Sequence, residues 1–301
     1  MSKNFDTRMM EWREQIDKCL FKIIAGSSYP AEFKSILDYA VFPGGKRLRP
    51  ILFLEWHSLY APPDESALLF ACGLELMHAY SLIHDDMPCM DNDDMRRGKP
   101  SVHKEYGEGK ALLAGDALLD LSYNCMFEAC RDKSSSLIMF SAVRGDLGIV
   151  HGQYLDLYGK IGSLDDLINV YERKTASLIR ACCVIGYTFM QKLDAKEYLA
   201  VLYGALDGDG ADDDNVAALI KPLSAYKFGH NFGIAFQIFD DVSEYIAGEK
   251  SDGTTVLDYL DLDKAKALLN TYLNAALAEL DGEYNGDTAY LREFAEKFVI
   301  V

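Results

Sequence analysis

Apolar residues recur at three- and four-residue spacing along nearly the whole chain, and this period limits the possible folds more than any other feature. It marks Glu11 to Ile24, Ala31 to Ala40, Ser66 to Asp86, Gly115 to Cys130, Ser163 to Met190, Ala195 to Leu206, Leu223 to Ala247 and Leu262 to Leu280. A 3.6-residue repeat gathers such residues on one helical face, which must be buried against another helix. Alternating β-branched runs between turn signals, the mark of strands, are missing. The expected fold class is all-α. With 301 residues, half of them hydrophobic, the chain can bury a large core. No linker or short-period repeat interrupts it, so one helical domain over 1–301 is the expectation.

Turn residues punctuate the helices. Ser27-Ser28-Tyr29-Pro30, Phe42-Pro43-Gly44-Gly45 and Ala61-Pro62-Pro63-Asp64 mark breaks in the first part of the chain. The run from Asp207 to Asn215 resembles a calcium loop superficially, but it lacks the glycine at the sixth place and the glutamate at the twelfth. It reads as an acidic surface loop. Lys plus Arg number 30 against 47 Asp plus Glu, a net charge of −17 that argues against nucleic acid as a partner and otherwise serves solubility.

Seven cysteines form no C-x-x-C pair or zinc-like cluster and read as free thiols of a reducing compartment. The start, MSKNFDTRMMEWREQ, has no apolar signal core, and no stretch reads as the roughly 18 to 20 apolar residues of a membrane span. A cytoplasmic protein is expected.

The strongest local signal is the run from His84 to Pro100, HDDMPCMDNDDMRRGKP. Asp85 and Asp86 close a stretch carrying Leu74, Leu76, Met77, Tyr80, Leu82 and Ile83, where unpaired carboxylates would be costly. Pro88 disfavours regular helix, so the chain can fold back and bring Asp91 towards Asp85. Convergent oxygen donors of this kind suit Mg²⁺, which keeps waters and shares the oxygens of a diphosphate. Arg96 and Arg97 are placed to grip phosphate.

A second acidic motif, Asp240-Asp241-Val242-Ser243-Glu244, follows another apolar helix. Asp240 and Glu244 are four apart and share a face, and Gln237 lies close to it. Two such clusters facing each other across a helical bundle would make a multi-metal cage for a diphosphate. The metals would favour C–O ionisation to an allylic cation, shielded in an apolar cavity.

Cations complete the pattern. Gly44-Gly45-Lys46-Arg47-Leu48-Arg49-Pro50 puts three on a Gly-rich turn, and Lys46 and Arg49 can clamp a second diphosphate. Lys174 and Thr175 sit in an otherwise apolar helix and could face a cavity, whereas Arg173 reads as solvated. His78, alone on its apolar helix, reads as a core residue.

These motifs, with Gly115-Asp116 and Gly152-Gln153-Tyr154-Leu155-Asp156, resemble those of the trans-isoprenyl diphosphate synthases (the polyprenyl synthetase family), bacterial farnesyl diphosphate synthases above all. The resemblance runs from about Phe33 to Lys266. It implies an isoprenoid-synthase helical bundle around a deep central cavity, usually in a homodimer. It implies Mg²⁺, three ions per site with diphosphate bound, held by Asp85, Asp86, Asp91, Asp240, Asp241 and Glu244. Arg96, Lys174 and Gln237 would contact the allylic diphosphate. Lys46, Arg49, His78 and Arg97 would hold isopentenyl diphosphate, whose double bond attacks the allylic cation while the released diphosphate takes the proton. Thr175 and Gln237 would help stabilise that cation.

Tyr80 and Ser81 lie five and four residues before Asp85, about 6 to 7.5 Å down the helix. A bulky Tyr80 should stop a growing tail at fifteen carbons; the alternative is an ordinary core aromatic. The second motif ends in Glu244 where the family usually has aspartate. The loop from Ala247 to Val256 looks several residues short, with Lys250 replacing the first of two expected lysines and the second lost near Gly253. Farnesyl diphosphate synthase is the leading expectation, with geranyl or geranylgeranyl diphosphate synthase, or a weakly active regulatory subunit, as alternatives.

Overall fold

The computed structural model describes residues 5–130, 148–189, 216–248, 253–282 and 284–300. The expected helix from Ala195 to Leu206, the Asp207–Asn215 loop and Lys250 lie outside these. The chain divides into two compact units, Met1–Leu54 with Pro63–Arg131 and Glu55–Pro62 with Asp132–Val301.

The first unit is built from α1 (Phe5–Gly26), α2 (Ala31–Val41), the start of α3 (Leu48–Ser58), α4 (Glu65–Asp85), α5 (Val102–Tyr106) and α6 (Glu108–Ala129). Its axis is α4. Asp64 caps that helix by accepting from the Ala67 amide at 2.8 Å. Phe70, Ala71, Cys72, Leu74, Leu76 and Met77 are fully buried. Gly73 lets α6 come close: a Cβ there would lie 2.5 Å from Met126 Cγ and 2.9 Å from the Ser122 carbonyl. Ile16, Leu20 and Ile24 of α1 and Ile36 and Leu37 of α2 complete this core. Each such side chain contributes about 1.5 to 3 kcal/mol by leaving water.

One expectation needs correction here. α4 is long and apolar enough to cross a membrane by length and composition, which the reading of the sequence denied. It is apolar all round because most of its surface is packed inside the protein.

The second unit contains the end of α3, α7 (Ile149–Tyr158), α8 (Leu164–Tyr171), α9 (Ser177–Thr188), α10 (Val216–Ala247), α11 (Leu262–Ala278) and α12 (Ala289–Glu296). Trp56, fully buried, packs edge-on against Tyr187, Phe228 and Tyr284 at centroid distances of 6.1, 5.3 and 5.9 Å. Phe232 meets Phe294 and Phe298 at 5.7 and 5.3 Å. Such ring pairs add to simple burial.

The apolar period from Ser163 to Met190 predicts one uninterrupted helix, but it contains a π-helical turn at Glu172–Ala176 between α8 and α9. The only strands among the described residues are Met95–Arg96 and Lys99–Pro100, a hairpin closed by Arg97-Gly98. Both turn residues have positive φ, 54° and 78°, as a two-residue hairpin turn of this hand requires. All seven cysteines are free, as expected, with Cys72, Cys125, Cys130, Cys182 and Cys183 buried.

Candidate active site

In the first unit the chain turns sharply after α4. The Met87 amide still reaches the His84 carbonyl at 3.2 Å, but Pro88 ends the helix. The Asp91 amide then donates to the Asp85 carbonyl at 2.9 Å, so the expected fold-back brings these two residues together. Asp85 is half-buried and Asp91 exposed.

Asp86 is different. It is buried, and Arg96 donates to its Oδ1 through Nε at 2.9 Å and through Nη2, which also reaches Asp93 at 3.0 Å. Burial pushes the Asp86 carboxyl above the usual range, against the pull of Arg96. Arg96, expected to grip phosphate, is paired with Asp86 and Asp93 in the acidic loop.

The Gly-rich turn places its three cations differently. Arg47, at φ 54°, is buried and donates to Glu75 at 2.6 Å, to Asp17 at 2.9 Å and to the Val41 carbonyl at 3.0 Å. Its guanidinium fills the space where a Cβ on Gly44 would stand, so any larger residue there would have to displace it from these partners. Arg49 donates to His78 Nε2 at 3.1 Å. Arginine has no acceptor, so this His78 is neutral with its proton on Nδ1. Loss of water, then the charges of Arg49, Arg97, Arg47 and Arg96, hold its pKa well below the usual histidine value.

Arg97 reaches back to Gly45, its guanidinium 3.3 Å from where a Cβ would stand. Burial and the neighbouring Arg47, Arg96 and Arg49 pull its pKa down, though a guanidinium stays charged. Lys99 anchors the hairpin to the end of α2 by donating to the Tyr39 and Phe42 carbonyls. The result is a group of cations crowded round a neutral imidazole, a site poised for a polyanion.

Lower on α4, Tyr80 is half-buried and meets His84 edge-on at 5.8 Å, its pKa pushed up to about 12 by burial, with Tyr123 and Asp85 nearby. Ser81 is turned to its own helix, donating to the His78 carbonyl at 3.0 Å. Gly115 makes room for the His84 ring, whose Nε2 lies 3.1 Å from the Leu112 carbonyl.

In the second unit the π-helical turn carries Lys174 and Thr175. It is held by two close backbone approaches. A Cβ on Gly152 would come within 2.2 Å of the Lys174 amide nitrogen, and one on Gly233 within 2.4 Å of Ala176 Cα. Lys174 Nζ meets Asp156 at 2.5 Å. Thr175 is buried and donates to Gln237 Oε1 at 2.8 Å, and Gln237 Nε2 donates to Asp241 at 3.2 Å. Arg173, expected to be solvated, is half-buried and bonded to Asn169 at 2.9 Å.

Gly229, Gly233, Gln237 and Asp241 recur every four residues along α10 and form one ridge. Against it lie Arg180, Ala176, Thr175 and Tyr171 in reverse order. Asp240 and Glu244 stand to one side of that ridge, about 60 to 100° round the helix. Asp240 is half-buried and Glu244 exposed. Asp241 is buried against the ridge and its carboxyl pKa is raised by burial.

Among the described residues no three His, Cys, Asp or Glu side chains are gathered into a metal-holding group. The donors nonetheless fit magnesium. They are hard carboxylate oxygens, on a backbone that folds Asp91 back onto Asp85 and on Asp240 and Glu244 one turn apart. Mg²⁺ in such sites takes one or two carboxylates and completes its shell with water and phosphate.

The sequence profile of the polyprenyl synthetases matches residues 30–208. The chain belongs to the polyprenyl synthetase family. It is 32% identical to the farnesyl diphosphate synthase of Bacillus subtilis, over 84% of this chain and 83% of that one. It is 34% identical to the heterodimeric geranylgeranyl pyrophosphate synthase large subunit 2 of Arabidopsis thaliana, over 92% and 72%. The FPP/GFPP synthase of Zymomonas mobilis superposes with a TM-score of 0.79 at 30% identity, covering 99% of both chains. The chain is therefore a short-chain prenyltransferase with the all-α isoprenoid synthase fold.

Three features of the site escaped the reading of the sequence. The π-helical turn leaves no trace in an apolar period. Tyr171 has no motif of its own. The structural task of Arg47 is hidden among three adjacent cations. The glycine spacing on α10 was a usable signal, because two small residues four apart followed by Gln237 and Asp241 mark a ridge built for close packing.

Proposed function

We propose that this chain is a farnesyl diphosphate synthase, acting as one domain over 1–301. The carrying observation is the cation group round neutral His78 beside the Asp85–Asp91 fold-back. An enzyme that bound a single diphosphate would not need cations on both the Gly-rich turn and the hairpin.

In this reading Lys46, Arg49, His78 and Arg97 hold isopentenyl diphosphate. Arg49 stays charged, and neutral His78 accepts its hydrogen bond without adding repulsion. Asp85, Asp86 and Asp91, with Asp240 and Glu244, would hold magnesium, three ions in the loaded site. Bound magnesium would neutralise the allylic diphosphate as it leaves. Lys174, with Arg96 and Lys250, contacts that diphosphate. The Thr175 hydroxyl and Gln237 amide, fixed to each other, present oriented dipoles to the allylic cation at no cost of reorganisation. The double bond of isopentenyl diphosphate forms the new C–C bond, and the proton then lost passes to the released diphosphate.

Tyr80 supports the fifteen-carbon product, as a rigid half-buried ring one turn from Asp85. Tyr80→Ala tests it: the variant should shift product from fifteen towards twenty carbons by mass spectrometry, and an unchanged product would remove Tyr80 from length control. The Arabidopsis relative favours a second reading, a geranylgeranyl synthase, in which wild type already gives twenty carbons. A regulatory subunit has only the short loop after Glu244 behind it, and a geranyl product is the remaining short-chain alternative. A cytoplasmic homodimer without nucleic-acid partners belongs to the same proposal.

A further inference from the structure

Asp241 stands in the middle of the second acidic motif, yet its surroundings are those of a carboxylate engaged in holding the fold. Its Oδ2 accepts from the Tyr171 hydroxyl and from the Val256 amide at 2.9 Å, and its Oδ1 accepts from Gln237 at 3.2 Å. It is 7% exposed. Three pieces of the second unit meet on it: the end of α8, the α10 ridge and the 3₁₀ turn Val256–Asp258. That turn is itself fixed by a capping box, in which the Thr255 amide donates to Asp258 at 2.7 Å. Tyr171 is the residue just before the π-helical turn, three positions from Lys174.

We propose that Tyr171 and Asp241 form a latch, a pair of positioning residues, and that metal contact on α10 belongs to Asp240 and Glu244. This rests on the reading that the second motif serves a metal-bound diphosphate. The latch joins the α10 ridge to the base of the π-helical turn, so Gln237 and Thr175 are held by the bond chain that ends on Asp241. It also ties the Val256 amide to α10. Coordination by Asp241 would require giving up donors that the fold supplies. Asp240 stands about 100° round the helix from Asp241, off the ridge.

The chemistry of asparagine separates the two roles. In Asp241→Asn the amide oxygen can keep Tyr171 and Val256. The amide nitrogen can donate to Gln237 after that side chain flips, because the Thr175 hydroxyl can accept as well as donate. A positioning role therefore survives loss of the charge, whereas a metal ligand does not.

The full chain is compared as wild type, Asp240→Asn, Asp241→Asn and Tyr171→Phe. One readout is calorimetric binding of geranyl diphosphate over a Mg²⁺ series. The other is hydrogen exchange at the Val256 amide in metal-free protein. Asp240→Asn should weaken Mg²⁺-supported binding about tenfold or more, and Asp241→Asn by less than about threefold. Tyr171→Phe should speed Val256 exchange about tenfold, with Asp241→Asn close to wild type. An Asp241→Asn loss equal to that of Asp240→Asn overturns the latch and makes Asp241 a ligand. Should Tyr171→Phe fail to fold, the comparison of the two asparagine variants decides alone. Wild-type binding that ignores Mg²⁺ would sink the reading of the motif, while Val256 exchange would still decide the latch.

Discussion

At the residue scale, neighbouring side chains of one type divide into those that hold the fold and those left for the site. Arg47 and Arg49 are two positions apart, yet the first is sealed against Glu75 and the second lies against His78. A buried pair is most costly when only one partner is removed. Arg47→Met should destabilise the protein by about 3 to 5 kcal/mol in denaturant unfolding, and adding Glu75→Leu should recover most of the loss. A loss below about 1 kcal/mol, as for an exposed cation, would contradict the structural task given to Arg47.

His78 gives a pH dependence whose sign follows from its surroundings. Its pKa in the fold is well below 6.5, so the unfolded chain binds a proton there before the folded one does. Stability from this group is complete above about pH 6.5 and is lost as pH falls from there towards the folded pKa. Unfolding midpoints at pH 7.5 and 5.5 should differ more in wild type than in His78→Gln. Equal differences would mean that His78 is not held neutral.

At the scale of elements, the helices were legible in the sequence and their interruptions were not. Apolar period reports which face is buried, and α1, α2 and α11 follow it closely, while α4 is buried nearly all round. α3 and α7 carry no clear stripe and contribute buried polar residues such as Glu55 and Gln153, whereas α12 has one in Tyr290, Leu291, Phe294 and Ala295 but is only about two turns long. The hairpin is two residues a side, too short for alternation to register. The π-helical turn depends on what presses against it, Gly152 on one side and Gly233 on the other, and long-range contact is invisible to a local pattern. Gly152→Ala and Gly233→Ala should each cost about 1 to 3 kcal/mol through overpacking. Each should also lower kcat by displacing Lys174 and Thr175, which thermal melts and steady-state kinetics would show. Full activity in a destabilised Gly233→Ala would detach the π-helical turn from the chemistry.

At the scale of the whole molecule, the chain carries two acidic motifs, one per unit, and its cation group lies in the first unit. Asp85 stood out in the sequence because charge at the end of an apolar helix is rare without a purpose. The donors that meet Asp86 and Asp241 were not legible, because adjacent carboxylates look alike until the fold brings their partners to them. The central claim is the condensation itself. Purified protein is incubated with Mg²⁺, isopentenyl diphosphate and either dimethylallyl or geranyl diphosphate, and the product is read by mass spectrometry. The account predicts a fifteen-carbon diphosphate that disappears in Asp85→Ala. A product of full yield from Asp85→Ala, or none from folded wild type, would contradict it.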